Sequence, residues 1–98
     1  MRPVELTTEA MADLREAALW FDEQAPGWGE RFTLAIDELL PVIAQRPGSF
    51  PKVYRDLRRA RPKQFGKYGV FFRITESKIH VVGIIHLRRH PRTWKRRA

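Results

Sequence analysis

The sequence predicts an α+β fold in which an N-terminal helical hairpin packs on a small antiparallel β-sheet. Up to Pro47-Gly48, apolar residues recur at three- and four-residue steps, the period of a helix with one buried face. From Leu57 the pattern changes to short β-branched and aromatic runs separated by polar links, which read as strands. A length of 98 residues supports one core and one domain, 1–98, without internal repeats or low-complexity linkers.

Val4-Glu5-Leu6 is a short extended run. Thr7 or Thr8 then offers a hydroxyl to cap a first helix, with Glu9 well placed against its dipole. Ala10, Leu14, Ala17 or Ala18, and Phe21 form the apolar stripe of that helix, with Asp13, Arg15, Glu16 and Glu23 largely on other faces. Pro26-Gly27 ends it. A second helix starts near Trp28 or Gly29 and carries Phe32, Ile36, Leu39 or Leu40, and Ile43, with Pro41 expected to kink it. Trp20 and Trp28 flank the turn and are expected to pack the two helices together.

Strands are expected at Leu57 to Arg61, Val70 to Thr75 and Lys78 to His86, the last two forming a hairpin through Glu76-Ser77. Strict alternation in the last strand would send Ile79, Val81, Gly83 and Ile85 one way and His80, Val82, Ile84 and His86 the other. Both faces are then apolar, which makes this a central strand, and Gly83 leaves space for a helix to approach.

Charge divides the chain. Residues 1–51 hold four basic and nine acidic side chains, a net of −5, whereas residues 52–98 hold fifteen Lys/Arg against Asp56 and Glu76, a net of +13. A large anionic partner for the second half is expected, namely nucleic acid, a nucleic-acid machine or an acidic protein. The absence of cysteine excludes disulfides, thiolate metal sites and a cysteine nucleophile, and suits a reducing cytoplasm. No signal peptide or membrane span is expected. Three histidines without paired carboxylates do not describe a metal site, so neither metal nor cofactor is expected.

Several pieces then fall in an ordered series: Val4-Glu5-Leu6 with Ala10 and Leu14, Arg31-Phe32, Arg46-Pro47, Phe50-Pro51, and Arg58-Arg59 before Phe65-Gly66-Lys67-Tyr68. Val70-Phe71-Phe72-Arg73-Ile74 follows, then His86-Leu87-Arg88-Arg89-His90-Pro91 with Trp94 and Arg97. In order and spacing the chain resembles the RelE/ParE superfamily of type II toxin-antitoxin toxins, especially its ParE-like plasmid-stabilisation branch. The resemblance implies a growth-inhibiting toxin neutralised by a cognate antitoxin, ParD-like or related, in a hetero-oligomer. It also implies one of two targets: DNA gyrase, inhibited by binding, or the ribosome, on which messenger RNA is cut.

RNA cleavage needs a base for the 2′-hydroxyl, cations for the developing phosphorane charge and an acid for the leaving oxygen. RelE-like patterns often place an arginine directly after the tyrosine that opens the penultimate strand, but here Tyr68 is followed by Gly69. Trp94 lies where a late tyrosine is common, and an indole is neither acid nor base. His90 replaces a common aspartate. For an RNA-cleaving enzyme the candidates are Arg73 and Arg89 as phosphate stabilisers and His86 as acid/base, with Lys67 and Tyr68 supporting. His86 otherwise reads as a structural histidine presenting the final loop.

Gyrase inhibition ranks ahead, with target contacts expected from Arg58, Arg59, Arg61, Lys63, Lys67 and Tyr68, and from Arg88, Arg92, Trp94, Arg96 and Arg97 in the basic segment 88–98. A non-toxic nucleic-acid-binding module is the further alternative.

Overall fold

The computed structural model describes residues 1–89 and 92–98, so His90, which stands where the resemblance leads one to expect aspartate, lies outside the described residues. β1 (Val4–Leu6) leads into α1 (Thr8–Gln24) and α2 (Trp28–Gln45), followed by a 3-10 turn at Pro47–Ser49. β2 (Lys52–Tyr54), β3 (Leu57–Ala60), β4 (Tyr68–Ile74) and β5 (Ile79–His86) complete the sheet, and α3 (Thr93–Arg96) ends the chain.

α1 begins where Thr7 Oγ1 accepts the Ala10 N–H at 3.1 Å. This satisfies one of the amides that a helix start leaves without a partner. At the hairpin turn Gly27 takes a left-handed φ of 91°, and one oxygen of Asp22 accepts the N–H groups of Gly27 at 3.1 Å and Gly29 at 2.8 Å. Asp22 of α1 thus caps α2. Gly29 is buried against α1, and a Cβ there would collide with the Ala18 carbonyl oxygen. Phe21 stacks on Phe32 at 5.1 Å to join the helices. The two tryptophans do not take that role, because Trp20 and Trp28 remain 38% and 39% exposed. α2 runs unbroken through Pro41. The helical bond that proline cannot donate would end on Asp37, and both residues are exposed, so the carbonyl left without that donor faces solvent.

The sheet order is β1-β5-β4-β3-β2. β1 pairs parallel with β5, whereas the other neighbours are antiparallel, so the sheet is mixed rather than purely antiparallel. Residues Ala10, Ala17, Phe32, Ile36 and Ile43 of the helices pack on Val70, Phe72, Ile79, Val81 and Ile84. Leu57, Phe71, Val82 and Ile85 form a second cluster on the far face, with Leu87, Trp94 and Ala98 against it.

Strict alternation along β5 fails at a bulge. Phe72 pairs with Val81 and Phe71 with Gly83, so β5 carries one extra residue, Val82. Beyond it Ile84 joins the helix-side core and Ile85 the far face. Gly83 does not admit a helix, because a Cβ there would meet the Ile85 side chain and, at 3.2 Å, a guanidinium nitrogen of Arg97.

β1 covers β5 only through Val81. Past that point side chains replace the missing strand: Asp13 accepts the Ile84 N–H at 3.0 Å, and Arg97 donates to the Val82 carbonyl at 3.0 Å. Asp13 and Arg97 also pair with each other at 2.5 Å. An ion pair linking α1 to the chain's last turn therefore closes an exposed strand edge.

Candidate functional site

The bulge puts Ile84 and His86 on the helix side of β5, where a cavity of about 320 Å³ opens between Trp20, Glu16, Tyr68, His86 and Arg89. Tyr68 and His86 are register partners, and their rings meet edge-on at 5.2 Å. The Arg89 guanidinium lies 4.7 Å from the centre of the Trp20 ring, a cation–π contact. Burial pushes the Tyr68 phenol above its ordinary value of 10.0, Arg89 pulls it down and Glu16 pushes it up. A phenol held protonated serves as a hydrogen-bonding group and is a poor base at neutral pH. His86 Nδ1 accepts the Arg88 N–H at 3.2 Å, which assigns the proton of the neutral ring to Nε2.

The raised Tyr68 pKa has a defined sign. Its folded-state value exceeds the unfolded one, so its contribution is complete below about pH 10 and is lost as pH rises toward the folded pKa. Urea unfolding across alkaline pH should show this loss, and Tyr68→Phe should flatten it.

Of the sequence candidates, Tyr68, His86, Arg89 and Arg97 come together around this cavity, though Arg97 is held by Asp13. Arg73 does not join them. It pairs with His80 at the opposite end of β4, five residues from Tyr68, or about 17 Å along the strand. It also belongs to the far face, since Tyr68, Val70, Phe72 and Ile74 all face the helices. Gly69 has no spare room: a Cβ would meet Leu87 and Phe71 side chains at 2.9 Å.

Arg58 turns inward and donates to the carbonyls of Phe50 at 2.7 Å and Gly48 at 3.3 Å, pinning the 3-10 turn. Arg59 sits opposite Phe71, which puts it on the far face, and burial followed by repulsion from Arg61 lowers its pKa. β3 ends at Ala60, so Arg61 heads the following loop instead of extending the strand. Arg61 and Lys63 border a groove of about 720 Å³ along α2, floored by Leu34, Ala35, Leu39 and Val42. Lys67, Arg88, Arg92 and Arg96 are exposed. Trp94 stacks on Phe71 at 4.8 Å and 11°, so the basic segment is docked on the far face of the sheet.

Asp13, Glu16 and Trp20 belong to the cavity, although the sequence pattern alone sets them apart from it. A signal for Asp13 is present, because it lies three residues after buried Ala10 and four before buried Ala17, at the border of the apolar stripe. Among the described residues no three His, Asp or Glu side chains are grouped to hold a metal ion, and no helix is long and apolar enough to cross a membrane.

A family model described as "ParE toxin of type II toxin-antitoxin system, parDE" matches residues 4–91. The chain belongs to the ParE toxin family. A solved chain of the "Chromosomal ParDE TA system from P. aeruginosa" shares the ParE-like fold, with a TM-score of 0.78 at 18% identity, covering 88% of this chain and 96% of that one. Among curated proteins none matches the sequence significantly. The match to the ParE family covers α1, α2, the whole sheet and the cavity-forming residues up to Arg89, and stops before α3.

Proposed function

We propose that this ParE-family toxin arrests growth by binding DNA gyrase, with no hydrolytic centre of its own, and is neutralised by a ParD-like antitoxin. The observation that carries this reading is the separation of Arg73 from His86 and Arg89, at opposite ends and on opposite faces of the sheet. Phosphodiester cleavage needs its acid, base and cations within a few ångströms of one phosphate. A further feature agrees: the position after Tyr68 is a glycine packed against Leu87 and Phe71.

Gyrase is contacted through Lys67, Arg88, Arg92 and Arg96, exposed cations for which no carboxylate partner within 4.0 Å is found among the described residues. The α2 groove, apolar on its floor and flanked by Arg31, Arg61 and Lys63 against the single carboxylate of Glu38, suits an acidic amphipathic antitoxin segment. The test is growth arrest on induction of Arg73→Gln and His86→Gln. Retained arrest with the DNA-damage response supports the reading, and loss of arrest in both folded variants with persistent translation arrest in the parent contradicts it.

A further inference from the structure

Most of the acidic side chains lie in the helical layer. Glu9, Asp13, Glu16, Asp22 and Glu23 lie on α1 and Glu30, Asp37 and Glu38 on α2, all in the helical layer. Across the sheet lies an aromatic series interleaved with cations. Trp94 stacks on Phe71, and Tyr54 meets Trp94 edge-on at 6.4 Å. Lys95 Nζ stands 5.7 Å from the Tyr54 ring centre and 5.5 Å from that of Trp94, and the Arg55 guanidinium lies 5.1 Å from Tyr54. Register places Arg59 and Arg73 on this face beside Phe71. Tyr54 and Trp94 are only partly buried. Lys95, Arg55, Arg59 and Arg73 form no ion pair within 4.0 Å among the described residues.

From this juxtaposition we infer that the far face of the sheet binds single-stranded nucleic acid, with unpaired bases on Tyr54 and Trp94 and phosphates on Arg55, Lys95, Arg59 and Arg73. A base stacks on the ring face that Arg55 or Lys95 covers in the free chain, and the displaced cation then follows the backbone phosphates. A duplex hides its base faces and offers only phosphates. An acidic protein would meet the cations but has no use for rings set among them. The acidic helical layer turns polyanions toward this side. The inference does not depend on gyrase as the target, because it concerns the toxin alone.

The test is fluorescence anisotropy of the purified chain with a labelled oligothymidylate strand, its duplex with oligoadenylate, and polyglutamate as competitor. Binding of the single strand should exceed that of the duplex and fall linearly with log salt. Lys95→Gln and Arg73→Gln should each reduce the slope by about 0.7. Tyr54→Leu should weaken binding about tenfold at unchanged melting temperature. Arg55→Gln, at an exposed turn position that asks nothing of the core, should lower the slope similarly if Tyr54→Leu fails to fold. Equal affinity for duplex, complete competition by polyglutamate at matched charge, or no binding at low salt would each overturn the inference. Gyrase inhibition is scored separately, so loss of strand binding with intact inhibition refutes this inference and leaves the gyrase reading standing.

Discussion

Gly29→Ala is expected to destabilise the domain by about 2–3 kcal/mol, a drop of roughly 10–20 °C in Tm. On helix propensity alone the change should help, since alanine exceeds glycine by about 1 kcal/mol inside a helix. Packing decides the sign. The added Cβ would strike the Ala18 backbone carbonyl, which cannot rotate away, and crowd the Asp22 carboxylate that caps α2. Relief requires α1 and α2 to move apart, loosening the Phe21–Phe32 stack and the core beneath it. Gly66→Ala is the control, because a Cβ there has open space and should change stability by less than about 0.5 kcal/mol. Thermal melts of both variants check the pair, and equal Tm values would show that α1 and α2 do not need this close approach.

Asp13→Ala should cost about 2–3 kcal/mol and Arg97→Ala about 1–2 kcal/mol, below the range for fully buried pairs because the two side chains keep 17% and 22% exposure. Removing Asp13 costs more, since it leaves both the Arg97 guanidinium and the Ile84 N–H without that partner. With Arg97 removed, Asp13 still accepts from Ile84 and the Val82 carbonyl loses one donor. A double-mutant cycle by urea unfolding should return a coupling of about 1–2 kcal/mol. Strict additivity would mean that the pair does not hold the last turn of the chain against α1.

The helical hairpin was legible because each helix has one buried stripe and a chemical start and stop: Thr7, Gly27 and Pro47 each punctuate the chain in a residue-specific way. The hairpin of β4 and β5 was legible for similar reasons. β2 was not, since Lys52–Tyr54 is three residues long behind a proline and too short to show a period. The parallel pairing of β1 joins Val4 to Ile79 across most of the chain, and local pattern carries no information on such partners. The bulge at Val82 stayed hidden because Ile79 to Ile85 is apolar on both faces, so a slip of register breaks no visible alternation.

The site was legible in part. Tyr68, His86 and Arg89 converge because β4 starts two residues earlier than expected, at Tyr68, and pairs it with His86 at the end of β5. Arg73 was grouped with them on residue type alone, which carries no information about strand face or strand end. Asp13 read as an acid off the apolar stripe, yet it accepts the Ile84 amide, and Asp22, to which the pattern gave no role, accepts the amides of Gly27 and Gly29. Trp94 was the signal that the basic segment docks, because an indole has little role in a purely solvated tail.

The most direct measurement is a paired assay of the purified protein: gyrase supercoiling with detection of cleavage complexes, alongside toeprinting of a translating ribosome for cut messenger RNA. A toxin without a hydrolytic centre should block supercoiling or trap cleavage complexes and leave the message intact. Ribosome-dependent cuts with gyrase unaffected would contradict this, and would require Arg73, His86 and Arg89 to be brought together by a rearrangement of the sheet.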